Sequence, residues 1–123
     1  MNSVFTDVKR CLVEGPRVTE DSCFAAFIFP ESFTGFSGHF LDNPIVPGIA
    51  QIFAAQITTG LDSELAEVKR CKFIRPVVPG TRVEVTLWKK IENNIARCKA
   101  EITANGEGCA SMSFTLICRM GCR

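Results

Sequence analysis

Between Pro47 and Gly60 the chain reads Gly48-Ile49-Ala50-Gln51-Ile52-Phe53-Ala54-Ala55-Gln56-Ile57-Thr58-Thr59, and this stretch constrains the fold more than any other. Pro47-Gly48 marks a helix start and Gly60 a stop. Apolar residues fall on nearly every side of the helical wheel rather than on one stripe, so the helix must be surrounded by other structure. The rest of the chain supplies strands to surround it. Val83, Val85 and Leu87 alternate with Glu84 and Thr86, and Ala96, Cys98, Ala100 and Ile102 alternate with Arg97, Lys99 and Glu101. Ala110, Met112, Phe114 and Leu116 alternate with Ser111, Ser113 and Thr115. Each segment has one dry face, and Pro79-Gly80, Asn93-Asn94 and Asn105-Gly106 are the turns between strands. Residues 68–75 read as a further strand, and residues 22–29 as one buried on both faces. Residues 8–13 are expected to pair with it across Glu14-Gly15-Pro16. The expected architecture is α+β, an antiparallel sheet of five to six strands wrapped around one central buried helix.

The chain has 123 residues, 46% of them hydrophobic, and a net charge of +1. That is the size of one domain, residues 1–123, and no repeat or linker divides it. So small a charge argues against a nucleic-acid partner. No apolar run approaches the roughly 20 residues needed to span a bilayer. The polar first ten residues do not resemble a secretion signal, so a cytoplasmic location is expected. The seven cysteines include no Cys-x-x-Cys pair and there is no His cluster, which argues against a disulfide framework and a metal site. Reduced thiols are expected throughout, although Cys118 and Cys122 lie close enough in sequence to pair on oxidation. A sheet of this size around one helix leaves edges and apolar surface uncovered, so a homodimer is expected.

The single histidine, His39, lies in the Gly- and Pro-punctuated stretch Gly35-Phe36-Ser37-Gly38-His39-Phe40-Leu41-Asp42-Asn43-Pro44-Ile45-Val46-Pro47-Gly48, which runs into the buried helix. An imidazole with an ordinary pKa of about 6.5 is thereby delivered near a helix N-terminus. Unpaired amides there can hold a negatively charged oxygen. A base beside an oxyanion site suits proton abstraction next to a thioester carbonyl.

Gly38-His39-Phe40-x-x-x-Pro44-Ile45-x-Pro47-Gly48-Ile49 resembles the signature of the bacterial 3-hydroxyacyl-acyl-carrier-protein dehydratases of the hot-dog fold. The later block Lys72-Phe73-Ile74-Arg75-Pro76-Val77-Val78-Pro79-Gly80 is similar to the segment with which that family enters its strand after the central helix. The resemblance runs from about residue 20 to residue 118. The family's longer N-terminal segment is missing here, and the start looks more like the compact dehydratases of specialised acyl pathways such as aryl polyene assembly. What the resemblance implies is as follows. His39 takes the α proton of a 3-hydroxyacyl thioester, and the Gly48 amide binds the thioester carbonyl. Phe40, Val46, Pro47, Gln51, Phe53 and Gln56 line the substrate. The substrate is carried by acyl carrier protein or coenzyme A, and no cofactor or metal is implied. The protein dimerises, with sites formed between two chains.

At one position the sequence departs from that pattern. The family's acid, a Glu or Asp fourteen positions after the histidine, is Phe53 here. Phenylalanine cannot donate the proton that helps expel the hydroxyl as water, and losing a positioned acid costs on the order of 100- to 10,000-fold in rate. Gln51 and Gln56 can hold a water or hydroxyl but have no titratable proton. Asp42 reads as a loop carboxylate, and Asp62, Glu64 and Glu67 as a solvated connector. The expectation is therefore a dehydratase-like protein of reduced activity, or one that receives the acid from a related chain in a heterodimer. The alternatives are a hot-dog thioesterase or a non-catalytic acyl-binding subunit. Phe24, Phe27, Phe29, Phe33, Phe36 and Phe40 read as core and alternatively as an acyl-tunnel lining. Arg70, Lys72 and Arg75 read as a solvated face and alternatively as contacts for phosphopantetheine or an acidic carrier.

Overall fold

The computed structural model describes residues 3–33 and 45–119. In chain order these form α1 (Ser3–Arg10), β1 (Leu12–Val18), β2 (Ser22–Ile28), α2 (Gly48–Thr58), β3 (Ser63–Phe73), β4 (Arg82–Glu92), β5 (Ile95–Ala104) and β6 (Glu107–Cys118). The strands make one antiparallel six-stranded sheet in the order β1-β2-β4-β5-β6-β3. The sheet curls over α2, whose residues from Ala50 to Thr58 are all buried. None of the described helices is long and apolar enough to cross a membrane.

The alternation seen in the sequence fixes which side of each strand faces the helix. Val83, Val85 and Leu87 of β4 pair with Ala104, Ile102 and Ala100 of β5, and Cys98 and Ala100 pair with Phe114 and Met112 of β6. Phe27, Phe29, Leu87, Ile102, Phe114 and Leu116 are fully buried. Each contributes about 1.5–3 kcal/mol relative to an exposed position. The turns match the sequence as well. Asn93, Asn94, Asn105 and Gly106 all have positive φ, the conformation that two-residue hairpin loops require. Thr59 caps α2, and Gly60 at φ +70° turns the chain away.

The N-terminal expectation is corrected. Residues 3–10 are helical, and the β1–β2 hairpin turns after Val18, not at Glu14-Gly15-Pro16. Gly15 lies within β1 at φ +85°, and the β1–β2 register shifts on both sides of Glu14. The Gly-Pro pair therefore marks a bulge that the strand passes through. The supposed connector after α2 is likewise β3, with Glu64 and Glu67 on the strand. The thiol expectation also changes, because Cys118 is disulfide-bonded. Cys11, Cys23, Cys71, Cys98 and Cys109 are free.

Candidate functional site

The stretch that enters α2 is held by the second motif. The Val46 N–H donates to the Val77 carbonyl at 2.7 Å, and Val46 is buried. Pro47 is the N-cap residue of α2, extended at φ −62° and ψ 152°. Its ring offers no side-chain hydrogen bond to the first turn, whose leading amides have no partner within the helix. The Ala50 and Gln51 amides return to the Pro47 carbonyl. Gly48 is thus the first helical residue, at the positive end of the helix dipole.

Gly48 lies against Phe73. A Cβ at residue 48 would stand 2.7 Å from Phe73 Cζ, so the aromatic ring occupies the space a side chain would take. Two segments far apart in sequence, residues 45–49 and 72–80, therefore converge on the start of α2. The sequence shows the two only as separate motifs and gives no sign that they touch.

The two glutamines occupy different sides of α2. Gln51, 4% exposed, donates from Nε2 to the Val46 carbonyl at 3.3 Å and so ties the approach segment to the helix. Gln56, also 4% exposed, donates from Nε2 to the Ser63 carbonyl at 3.1 Å. The Oε1 atoms of both are buried without a hydrogen-bond partner. A buried acceptor left unpaired costs about 1–3 kcal/mol, so these two oxygens are places where a ligand hydroxyl or amide would be stabilising. Gln56 is three residues beyond Phe53 and shares its side of the helix.

Phe53 is 8% exposed and meets Phe5 of α1 edge-on, with ring centroids 5.3 Å apart and planes at 78°. The resemblance places Phe53 in the substrate lining and names no ring for it to pack against. The partner is a helix that the sequence reading did not foresee, although Val4, Phe5 and Val8 do carry a helical spacing.

His39 and Phe40 lie outside the described residues, as do Phe36 and Asp42. The remaining aromatic approach divides. Phe27 and Phe29 stack at 6.3 Å, and Phe33 meets Phe29 edge-on at 5.2 Å, all within the core. Phe24 is on the opposite face of β2 beneath the Arg17 guanidinium, 4.6 Å from its ring centroid, and so does not join them. Asp62 and Glu64 hold Arg119, and Arg75 pairs with Glu107 at 3.5 Å. None of these ion pairs involves the start of α2.

Comparison with known proteins places this geometry among relatives. The family model described as ApeI-like, ApeI dehydratase, matches residues 16–113. A 3-hydroxyacyl-[acyl-carrier-protein] dehydratase FabZ of Ligilactobacillus salivarius is 34% identical over 95 residues, covering 67% of each chain. The corresponding FabZ of Brucella ovis is 35% identical over 85 residues, 59% of this chain and 54% of the relative, so the match spans about half that protein's length. The solved dehydratase heterocomplex ApeI:P from Xenorhabdus doucetiae contains a chain with the same fold. It superposes with a TM-score of 0.70 at 18% identity, covering 88% of this chain and 96% of that one.

Proposed function

The chain belongs to the ApeI-like dehydratase family, and from that premise we propose that it handles 3-hydroxyacyl thioesters through His39 and the Gly48 amide. Its function is dehydratase-like. In the proposed reaction His39 takes the proton from the carbon next to the thioester carbonyl, and the Gly48 N–H holds the oxygen on which charge gathers. The 3-hydroxyl leaves with a second proton as water, and the trans-2-enoyl thioester remains. The observation that carries this reading is the start of α2, which has no side-chain cap and is pinned by Val46–Val77 and padded by Phe73, in a chain whose sequence carries Gly38-His39-Phe40 shortly before it.

The second proton has no donor on α2, because Phe53 is buried beneath Phe5. We assign its supply to a second chain. One form is a related subunit bearing a carboxylate, a reading supported by this chain's likeness in fold to a chain solved in a dehydratase heterocomplex. Gln56 Oε1, buried and unpartnered, would accept a hydrogen bond from the substrate hydroxyl. Val46 and Pro47 set the entry to the site, and Phe40 and Gln51 complete its lining. The substrate would arrive on acyl carrier protein or coenzyme A.

The contact surface for the second chain is proposed at the β3 edge. Phe73, Ile74 and Val78 are exposed there, together with Ile45 and Ile49. All lie within a few residues of the Gly48–Phe73 contact. A homodimer through this edge would bring two Gly48 sites to one seam, with residues 1–123 acting as one hot-dog unit in the cytoplasm.

The test supplies a 3-hydroxyacyl thioester and follows enoyl absorbance and free thiol together. Enoyl formation that disappears in His39→Ala supports the proposal. Thiol release without enoyl product points to a thioesterase, and tight acyl binding with neither product points to a binding subunit.

A further inference from the structure

The outward face of the sheet carries a recess of about 600 Å³ on the side away from α2. Its floor is β6, where Ser113 and Thr115 present short hydroxyl side chains between two taller walls. One wall is β5 and β4, with Arg97, Lys99, Trp88 and Lys90, and the other is β3, with Lys69 and Arg70. The register explains the shape. Trp88 pairs with Lys99, Lys99 with Ser113, and Ser113 with Arg70, so one row across the sheet reads ring, cation, hydroxyl, cation. The two cations are two strand spacings apart, about 9–10 Å. A register shift between Val68 and Arg70 brings Lys69 to the same recess, the re-aiming that a bulge produces.

These charges are not neutralised by their neighbours. Among the described residues Lys69, Arg70, Lys90 and Lys99 make no ion pair, and Arg97 has only an exposed one to Glu92 at 3.8 Å. Trp88, 46% exposed, presents an aromatic surface among them. The surrounding acids limit what fits. Asp21 lies at one rim, Glu101 lines the adjoining recess, and Glu67 pairs across from Thr115. An extended polyanion or a broad acidic protein surface would meet those carboxylates. A small anion would not, and the volume lies within the range of about 300–1,000 Å³ that small-molecule sites occupy.

We propose that this recess binds a phosphate-bearing ligand with a planar ring, of the nucleoside diphosphate class. The ring stacks on Trp88, and the phosphates bridge Lys99 and Arg70 over the Ser113 hydroxyl. The site is independent of the thioester chemistry at Gly48.

Trp88 is the only tryptophan and the chain has no tyrosine, so its emission reports on the recess directly. The full chain is titrated with ADP at low salt, and with inorganic pyrophosphate as the ringless probe. Saturable quenching by ADP is expected, with the Lys99→Gln, Arg70→Gln double variant binding about tenfold more weakly through loss of charge-assisted hydrogen bonds. Pyrophosphate should bind about tenfold more weakly than ADP, because stacking on the ring is lost. Arg82→Gln, on the same face but outside the recess, should leave the titration unchanged. No saturable response to ADP overturns the proposal, and so does equal affinity in the double variant. Equal affinity for pyrophosphate removes the planar ring from it and overturns it as stated.

Discussion

Phe53 is the residue on which the chemistry of this chain turns, and its surroundings explain why it cannot be read as a lost acid alone. Its ring is buried against Phe5, so a carboxylate placed there would be desolvated beneath an aromatic ring. Phe53→Ala should cost about 3–5 kcal/mol, the usual range for emptying a buried aromatic site, and chemical denaturation measures it. Two buried thiols give a second expectation. Burial, with Cys23 adding to it, pushes the Cys98 thiol up to about 12, and burial with Asp7 pushes Cys11 up to about 11. Folding therefore favours the protonated thiol. The contribution of Cys98 to stability is complete below the ordinary thiol value of 9.0 and is lost as the pH rises toward about 12. Melting temperature should fall through that interval. Alkylation of the native protein at neutral pH should label the exposed Cys71 and spare Cys98 and Cys11, with peptide mass spectrometry reading the sites.

At the scale of elements, the strands that alternate cleanly were legible in the sequence because β4, β5 and β6 each have one wet and one dry face. The buried helix was legible because nothing else accommodates an all-round apolar segment. The N-terminus was not, for two physical reasons. Helix α1 spans only eight residues, and Val4, Phe5 and Val8 make a stripe too brief to separate from a strand pattern. Gly15-Pro16 looks like a turn, but Gly15 at φ +85° carries a bulge in mid-strand. Gly15→Ala tests that assignment. A Cβ there would lie 2.7 Å from the Phe24 carbonyl oxygen, and positive φ is itself strained for alanine. The change should cost about 1–3 kcal/mol, and a urea midpoint unchanged from the parent would contradict the bulge. At the start of α2 two segments meet that the sequence shows only as separate motifs. Their convergence through Phe73 and Val77 was invisible because it depends on how β3 lies beside the helix.

For the molecule as a whole, half of the exposed large hydrophobic residues among those described, Ile45, Ile49, Phe73, Ile74 and Val78, fall where residues 45–49 meet the end of β3, and an open sheet edge lies beside them. That arrangement calls for a covering chain. Phe73→Glu should shift the protein to a monomer in sedimentation analysis without unfolding it, because Phe73 is already half exposed. A parent protein that sediments as a monomer at every concentration would remove the self-paired edge. The proposed chemistry is tested most directly at the proton that His39 would remove. That step needs a base and an oxyanion site but not the acid that Phe53 replaces. A 3-hydroxyacyl thioester incubated with the protein in deuterated water should gain deuterium at the carbon beside the carbonyl, and His39→Ala should abolish the gain. Exchange no faster than in buffer, or exchange that survives the loss of His39, would contradict the account.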